Sequence, residues 1–121
     1  MKQNQKWKQK SVCLLLTLFL ILVTGAISFA GEPTGNGRKG KYLYRKIYNE
    51  CQARGEVESR TPLLSPNKKT MAQWDRMFTK KDFEDFKCKE EWSKLSEKEL
   101  QDIYAYLHKH AADSPTPAKC K

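Results

Sequence analysis

Histidine and cysteine are both scarce in this chain of 121 residues, with two of the first and four of the second. Cys13, Cys51, Cys88 and Cys120 stand far apart, and without a close-set pair they make no structural zinc site. His108 and His110 are two residues apart in a stretch with helical periodicity, so they point about 200° away from each other and share no metal-binding face. We read them as solvated donors near the negative end of a helix dipole. The chain has no G-x-S-x-G elbow, phosphate loop, H-E-x-x-H pair or paired catalytic carboxylates, which leaves it without recognisable machinery for hydrolysis or phosphoryl transfer. The expectation is a protein that is not an enzyme. Acidic residues are outnumbered, 14 against 23 lysines and arginines. Because the two signs interleave along the chain, the excess reads as a solvated surface favouring acidic partners, with no nucleic-acid footprint.

Long apolar stretches are missing too, with one exception. The run from Val12 to Val23 is preceded by Lys2, Lys6, Lys8 and Lys10 and followed by Ser28-Phe29-Ala30. That order is a secretory signal over residues 1–30, cleaved after Ala30, and it implies export to the bacterial periplasm. The rival reading is an uncleaved anchor over residues 11–30, nearly long enough to span a bilayer, in which case membrane contact comes through this segment alone. Cys13 has no lipobox leading into it, which argues against a lipoprotein. Of the net charge of +9, four positive charges leave with the signal and +5 stays. The remainder is one domain of about 90 residues, small enough that a disulfide or a bound group is expected to support its core.

Gly31, Pro33, Gly35 and Gly37 make residues 31–39 a flexible leader. From about Lys41 to Cys51, the residues Leu43, Tyr44, Ile47, Tyr48 and Cys51 trace one helical stripe. Its tyrosines are expected to pack in the core with their hydroxyls turned to water. The stretch from Gln52 to Asn67 lacks periodicity and reads as a long loop with Leu63 and Leu64 plugged into the core. Thr70 is the N-cap of a helix reaching Lys80, with Met71, Trp74, Met77 and Phe78 on one face. Phe83, Phe86 and Trp92 lie in a charged connector whose secondary structure stays open. Ser96 and Glu99 form a capping box for the last helix, with Leu95 and Leu100 at its staple positions. The fold class that follows is all-α, three to four helices over residues 40–112, with an extended tail over 113–121.

An exported chain is expected to pair cysteines. The last helix, at about 16 residues, is about 24 Å long, and the nine-residue tail can cover up to roughly 30 Å. Cys120 can therefore run back to Cys88, which is the favoured pair. Cys51 to Cys120 and Cys51 to Cys88 stay open. With Cys88 and Cys120 joined, Cys51 would be a buried, inert thiol.

Two segments carry a family resemblance. Gly40, Leu43 and Tyr44 lead into Tyr48, Cys51 and Gln52, and the run from Leu95 to Leu107 reads L-S-x-x-E-L-x-x-I-x-A-Y-L. Together they resemble the first and last helices of small class I-like c-type cytochromes. In that family the first helix runs into C-x-x-C-H, whose thiols bond the haem and whose His binds iron. Here Tyr48 stands at the first Cys, Cys51 at the second and Gln52 at the His, so the attachment motif is degenerate. The resemblance implies a cytochrome c-like domain whose first and last helices cross. Met71 and Met77 are weak axial-ligand candidates, and core packing is their favoured role. The function implied is an exported protein without cofactor, an accessory or interaction partner near periplasmic redox or cytochrome proteins. The alternative is an electron carrier holding haem c through Cys51 alone or non-covalently. A further alternative is an unrelated disulfide-bonded helical binding module. The space a haem would fill is expected to be closed by the long loop with Trp74, Phe78 and Trp92.

Overall fold

The computed structural model of the protein describes residues 31–119. The signal segment, Cys13 and Cys120 lie outside the described residues. Among the described residues four α-helices follow in order, α1 Gly37–Ala53, α2 Met71–Lys80, α3 Lys89–Ser93 and α4 Glu97–Lys109, with 3-10 turns at Pro66–Lys68 and Glu84–Phe86. Among the described residues there is no strand. None of these helices is long and apolar enough to cross a membrane.

Each longer helix starts where its capping chemistry says it should. The Thr70 hydroxyl accepts from the Gln73 amide while the Gln73 side chain accepts from the Thr70 amide, and Ser96 and Glu99 repeat the arrangement at α4. Both satisfy amide donors that the first helical turn leaves without a partner. At α1 the Asn36 side chain accepts from the amides of Arg38 and Lys39, so this helix begins three residues before the expected boundary at residue 40. The expectation of a loose leader through residue 39 is thereby corrected. The reason is tertiary as well as local, since the Asn36 amide donates to Asp102 of α4 at 2.7 Å.

The helices α1 and α4 make the most extensive contact in the fold, α2 packs on α4, and α3 packs on α1. Gly40 sits where the backbones of α1 and α4 meet. A Cβ added there would stand 1.8 Å from the Asp102 carbonyl oxygen, so only a residue without a side chain permits this approach. Around the crossing, Tyr44, Ile47, Tyr48 and Cys51 of α1 meet Trp74 and Phe78 of α2, Phe86 and Trp92, and Leu100, Ile103, Tyr104 and Leu107 of α4.

The open connector resolves into the turn at Glu84–Phe86 and the short α3. Between them Lys87 (φ 55°, ψ −155°) and Cys88 (φ 53°, ψ 40°) take backbone conformations normally left to glycine, a strain of order 1–3 kcal/mol each. The long loop places Leu64 against the core and leaves Leu63 46% exposed, so only one of the two leucines plugs in. The tail does not run back along α4. His110 Nδ1 lies 2.8 Å from the Thr116 carbonyl, and the Ala118 amide donates to the His110 carbonyl, folding the tail against the helix's C-terminal end.

Candidate functional site

The inward face of α1 presents Tyr44, Tyr48 and Cys51 in sequence, because residues three or four apart share one side of a helix. Tyr48 has no exposed surface, and its hydroxyl donates to the Phe86 carbonyl at 3.0 Å. The Tyr44 hydroxyl donates to the Leu64 carbonyl at 2.7 Å. The expectation that these hydroxyls face water is therefore corrected: each ties α1 to a segment that lacks regular backbone pairing and would otherwise leave a carbonyl unsatisfied. Burial pushes the Tyr48 phenol up to about 12 and raises Tyr44 further still.

Cys51 is bonded to Cys88, with a Cα separation of 5.6 Å. This corrects both the favoured Cys88–Cys120 pair and the inert Cys51 thiol. The physical reason is placement. Cys51 and Cys88 are wholly buried on facing sides of the core, while the tail that carries Cys120 turns away at the end of α4. The Cys88 corner is held further by its amide, which donates to Glu56 at 2.9 Å. Gln52, the next residue, accepts from Arg60 at 3.3 Å on the exposed side.

Behind these residues the interior is filled by stacked rings. Trp74 lies on Phe86 at 6.0 Å, Phe86 on Trp92 at 4.5 Å, and Trp92 on Phe83 at 4.8 Å. Trp74 Nε1 donates to the Pro66 carbonyl at 2.9 Å. Among the described residues, Trp92 Nε1 is the one buried side-chain polar atom without a hydrogen-bond partner. Trp74, Phe78, Phe86 and Trp92 are all buried, and Phe86 stacks on both tryptophans.

A covalently held haem does not fit these residues. The Cys51 sulfur is already bonded, Gln52 supplies no imidazole, and Tyr48 is buried with its hydroxyl engaged. Met71 and Met77 are half-buried and pack against the core's edge. Cys51, Cys88 and Glu91 bring possible ligand atoms within 4.8 Å of one another. In the disulfide, however, the sulfurs offer no thiolate, the form that binds metals, and Glu91 accepts from Arg54 at 2.9 and 3.0 Å. That guanidinium holds the buried Glu91 carboxyl below the usual carboxylate range.

Two grooves open on the surface. One, of about 760 Å³, is floored by Phe83, Trp92, Leu95 and Leu100. The other, of about 1120 Å³, brings Met71, His108 and His110 onto one surface beside Lys41 and Tyr106. His108 Nε2 lies 3.3 Å from Asp75 Oδ1, which also accepts from the Tyr104 hydroxyl. This Asp75 cluster was missed in the sequence, although Tyr104 and His108 at i, i+4 already place two of its members on one helix face.

No protein-family model, no curated protein and no solved structure matches the chain.

Proposed function

We propose that this chain is an exported cytochrome c-like domain that has exchanged haem attachment for an aromatic and disulfide-bonded core. In this reading it acts as an accessory or interaction partner near periplasmic redox proteins, binds no cofactor and catalyses no reaction. The observation that carries the reading is the fate of the three attachment positions. Tyr48 bonds to Phe86, Cys51 to Cys88 and Gln52 to Arg60, so each is committed to the fold. The contact between α1 and α4 supports the cytochrome c-like part, because the resemblance implies that crossing and the generic binding module does not require it. The disulfide is compatible with an oxidising compartment.

The test is an absorption spectrum through the Soret region, oxidised and reduced, on protein exported by a host competent in cytochrome maturation. A flat spectrum is the expected result. A stoichiometric Soret band that shifts on reduction overturns the reading. One observation favours the electron-carrier alternative in its non-covalent form: Met71, His108 and His110 line one groove. Titration of the purified protein with haemin decides it, the alternative requiring a saturable spectrum that Met71→Ala or His108→Ala abolishes.

A further inference from the structure

The outward face of α1 carries charge of one sign over most of its length. From Gly37 to Asn49 it carries Arg38, Lys39, Lys41, Arg45 and Lys46 and no acidic residue. Tyr42, 69% exposed, is one of two large hydrophobic side chains left open among the described residues. At 3.6 residues per turn Tyr42 lies about 180° from the buried stripe of Tyr44, Ile47 and Tyr48. Arg38, Lys39, Arg45 and Lys46 stand at i−4, i−3, i+3 and i+4 from it, so a single ring is framed by four cations. Only Lys46 has an ion-pair partner among the described residues, Glu50 at 3.6 Å on the exposed edge.

These charges sit where the helix itself does not want them. The first turn of α1 has Arg38 and Lys39 and no acid, against a dipole that favours anions there. By contrast α4 follows the dipole, with Glu97 and Glu99 in its first turn and His108 and Lys109 in its last. A departure from local preference on one exposed face, with none at the neighbouring helix, is the mark of a functional surface.

We infer that this face docks the domain on an anionic bilayer surface. A bilayer suits it better than a protein partner, because the fully buried centre of a protein interface is apolar and depleted of lysine, whereas here one tyrosine stands alone among cations. On anionic lipid each cation contributes without needing a shaped counterpart, and tyrosine is at home at the headgroup level. Where residues 11–30 stay in place as an anchor, the position in the chain agrees, since Arg38 follows Ala30 by eight residues. Only that placement rests on the anchor alternative; the charge pattern of the face does not.

The test is co-sedimentation of the protein, as purified from an exporting host, with phosphatidylcholine vesicles with and without about 30% phosphatidylglycerol, an anionic content sufficient to attract basic segments. The expected result is binding to the anionic vesicles alone, lost as salt rises from about 0.1 to about 1 M and the Debye length falls from about 10 to about 3 Å. Each cation removed should weaken binding about fivefold, so Lys39→Gln with Lys46→Gln should weaken it about 25-fold. The control pair Lys68→Gln with Lys98→Gln changes two exposed lysines elsewhere, removes the same net charge and should cost far less. Circular dichroism on both pairs keeps a loss of fold distinct from a loss of docking. Equal binding to neutral vesicles, no binding to anionic ones, or equal losses from the two lysine pairs overturns the inference. The second of these results would reassign the face to an acidic protein.

Discussion

Gly40→Ala separates local preference from tertiary fit. In an isolated helix the change is favourable, by about 1 kcal/mol, because alanine loses less backbone entropy than glycine. In this fold the new Cβ would lie 1.8 Å from the Asp102 carbonyl oxygen, 2.4 Å from its carbonyl carbon and 2.8 Å from the Ile103 amide nitrogen. Non-bonded carbon contacts need about 3.5 Å, and every one of these neighbours is backbone that cannot rotate aside. The helices α1 and α4 must part by more than an ångström, which loosens Tyr44 against Tyr106 and stretches the Asn36–Asp102 hydrogen bond. Overpacking of this kind costs about 1–3 kcal/mol, and the weakened bond to a charged acceptor about 1–2 more. With the propensity gain set against them, the net loss is about 1–4 kcal/mol, and the middle of that range is a fall in Tm of about 10–20 °C for a domain of this size. Gly37→Ala is the internal control, because its Cβ would meet nothing nearer than 3.7 Å. Thermal melts followed at helical wavelengths should show Gly37→Ala unchanged or slightly raised and Gly40→Ala sharply lowered. A Gly40→Ala protein melting at or above the parent would refute the claimed approach of the two helices.

The Cys51–Cys88 bond and the Tyr48 phenol can each be tested in the same way. The disulfide joins residues 37 positions apart, a closure worth about 4 kcal/mol by chain entropy, so Cys51→Ala with Cys88→Ala should remove a large part of the stability. Non-reducing peptide mapping should link Cys51 to Cys88, and a Cys88–Cys120 peptide would contradict the fold around that corner. Tyr48→Phe should cost about 1–2 kcal/mol, since it leaves the Phe86 carbonyl buried without its donor. The alkaline limb tests the same phenol: with its pKa moved from 10.0 to about 12 in the folded state, Tyr48 contributes stability that is complete below pH 10 and is lost as the pH climbs to 12. Phenolate absorbance recorded with circular dichroism should show Tyr48 ionising only as helicity falls, and ionisation near pH 10 in an intact helix would refute its burial.

The helices themselves were legible because their signals are local. Thr70 with Gln73 and Ser96 with Glu99 are capping pairs readable at a spacing of three residues, and the apolar stripes of α1 and α4 need only the helical period. Local reading faltered wherever the decisive partner lay far along the chain. Asn36 reads as a leader residue until Asp102 is brought to its amide, and the Tyr44 and Tyr48 hydroxyls read as solvated until Leu64 and Phe86 arrive as acceptors. Cys51, Cys88 and Cys120 were each visible as disulfide candidates, but chain length alone allowed the tail to reach Cys88. Its turn back onto the end of α4 is a contact that no spacing announces.

By itself, then, the sequence determined an all-α domain, the starts of the two helices capped by Thr70 and Ser96, and the faces that must be buried. Those properties depend on dihedral preference, side-chain period and residue identity, all of which act within a few residues. Tertiary structure alone decided which cysteines join, which carbonyls receive the buried phenols, that glycine is required at position 40, and that Phe86 stacks on both Trp74 and Trp92. Each of these is a meeting of groups distant in sequence, and its energy exists only once the packed interior has excluded water and brought the partners within bonding distance.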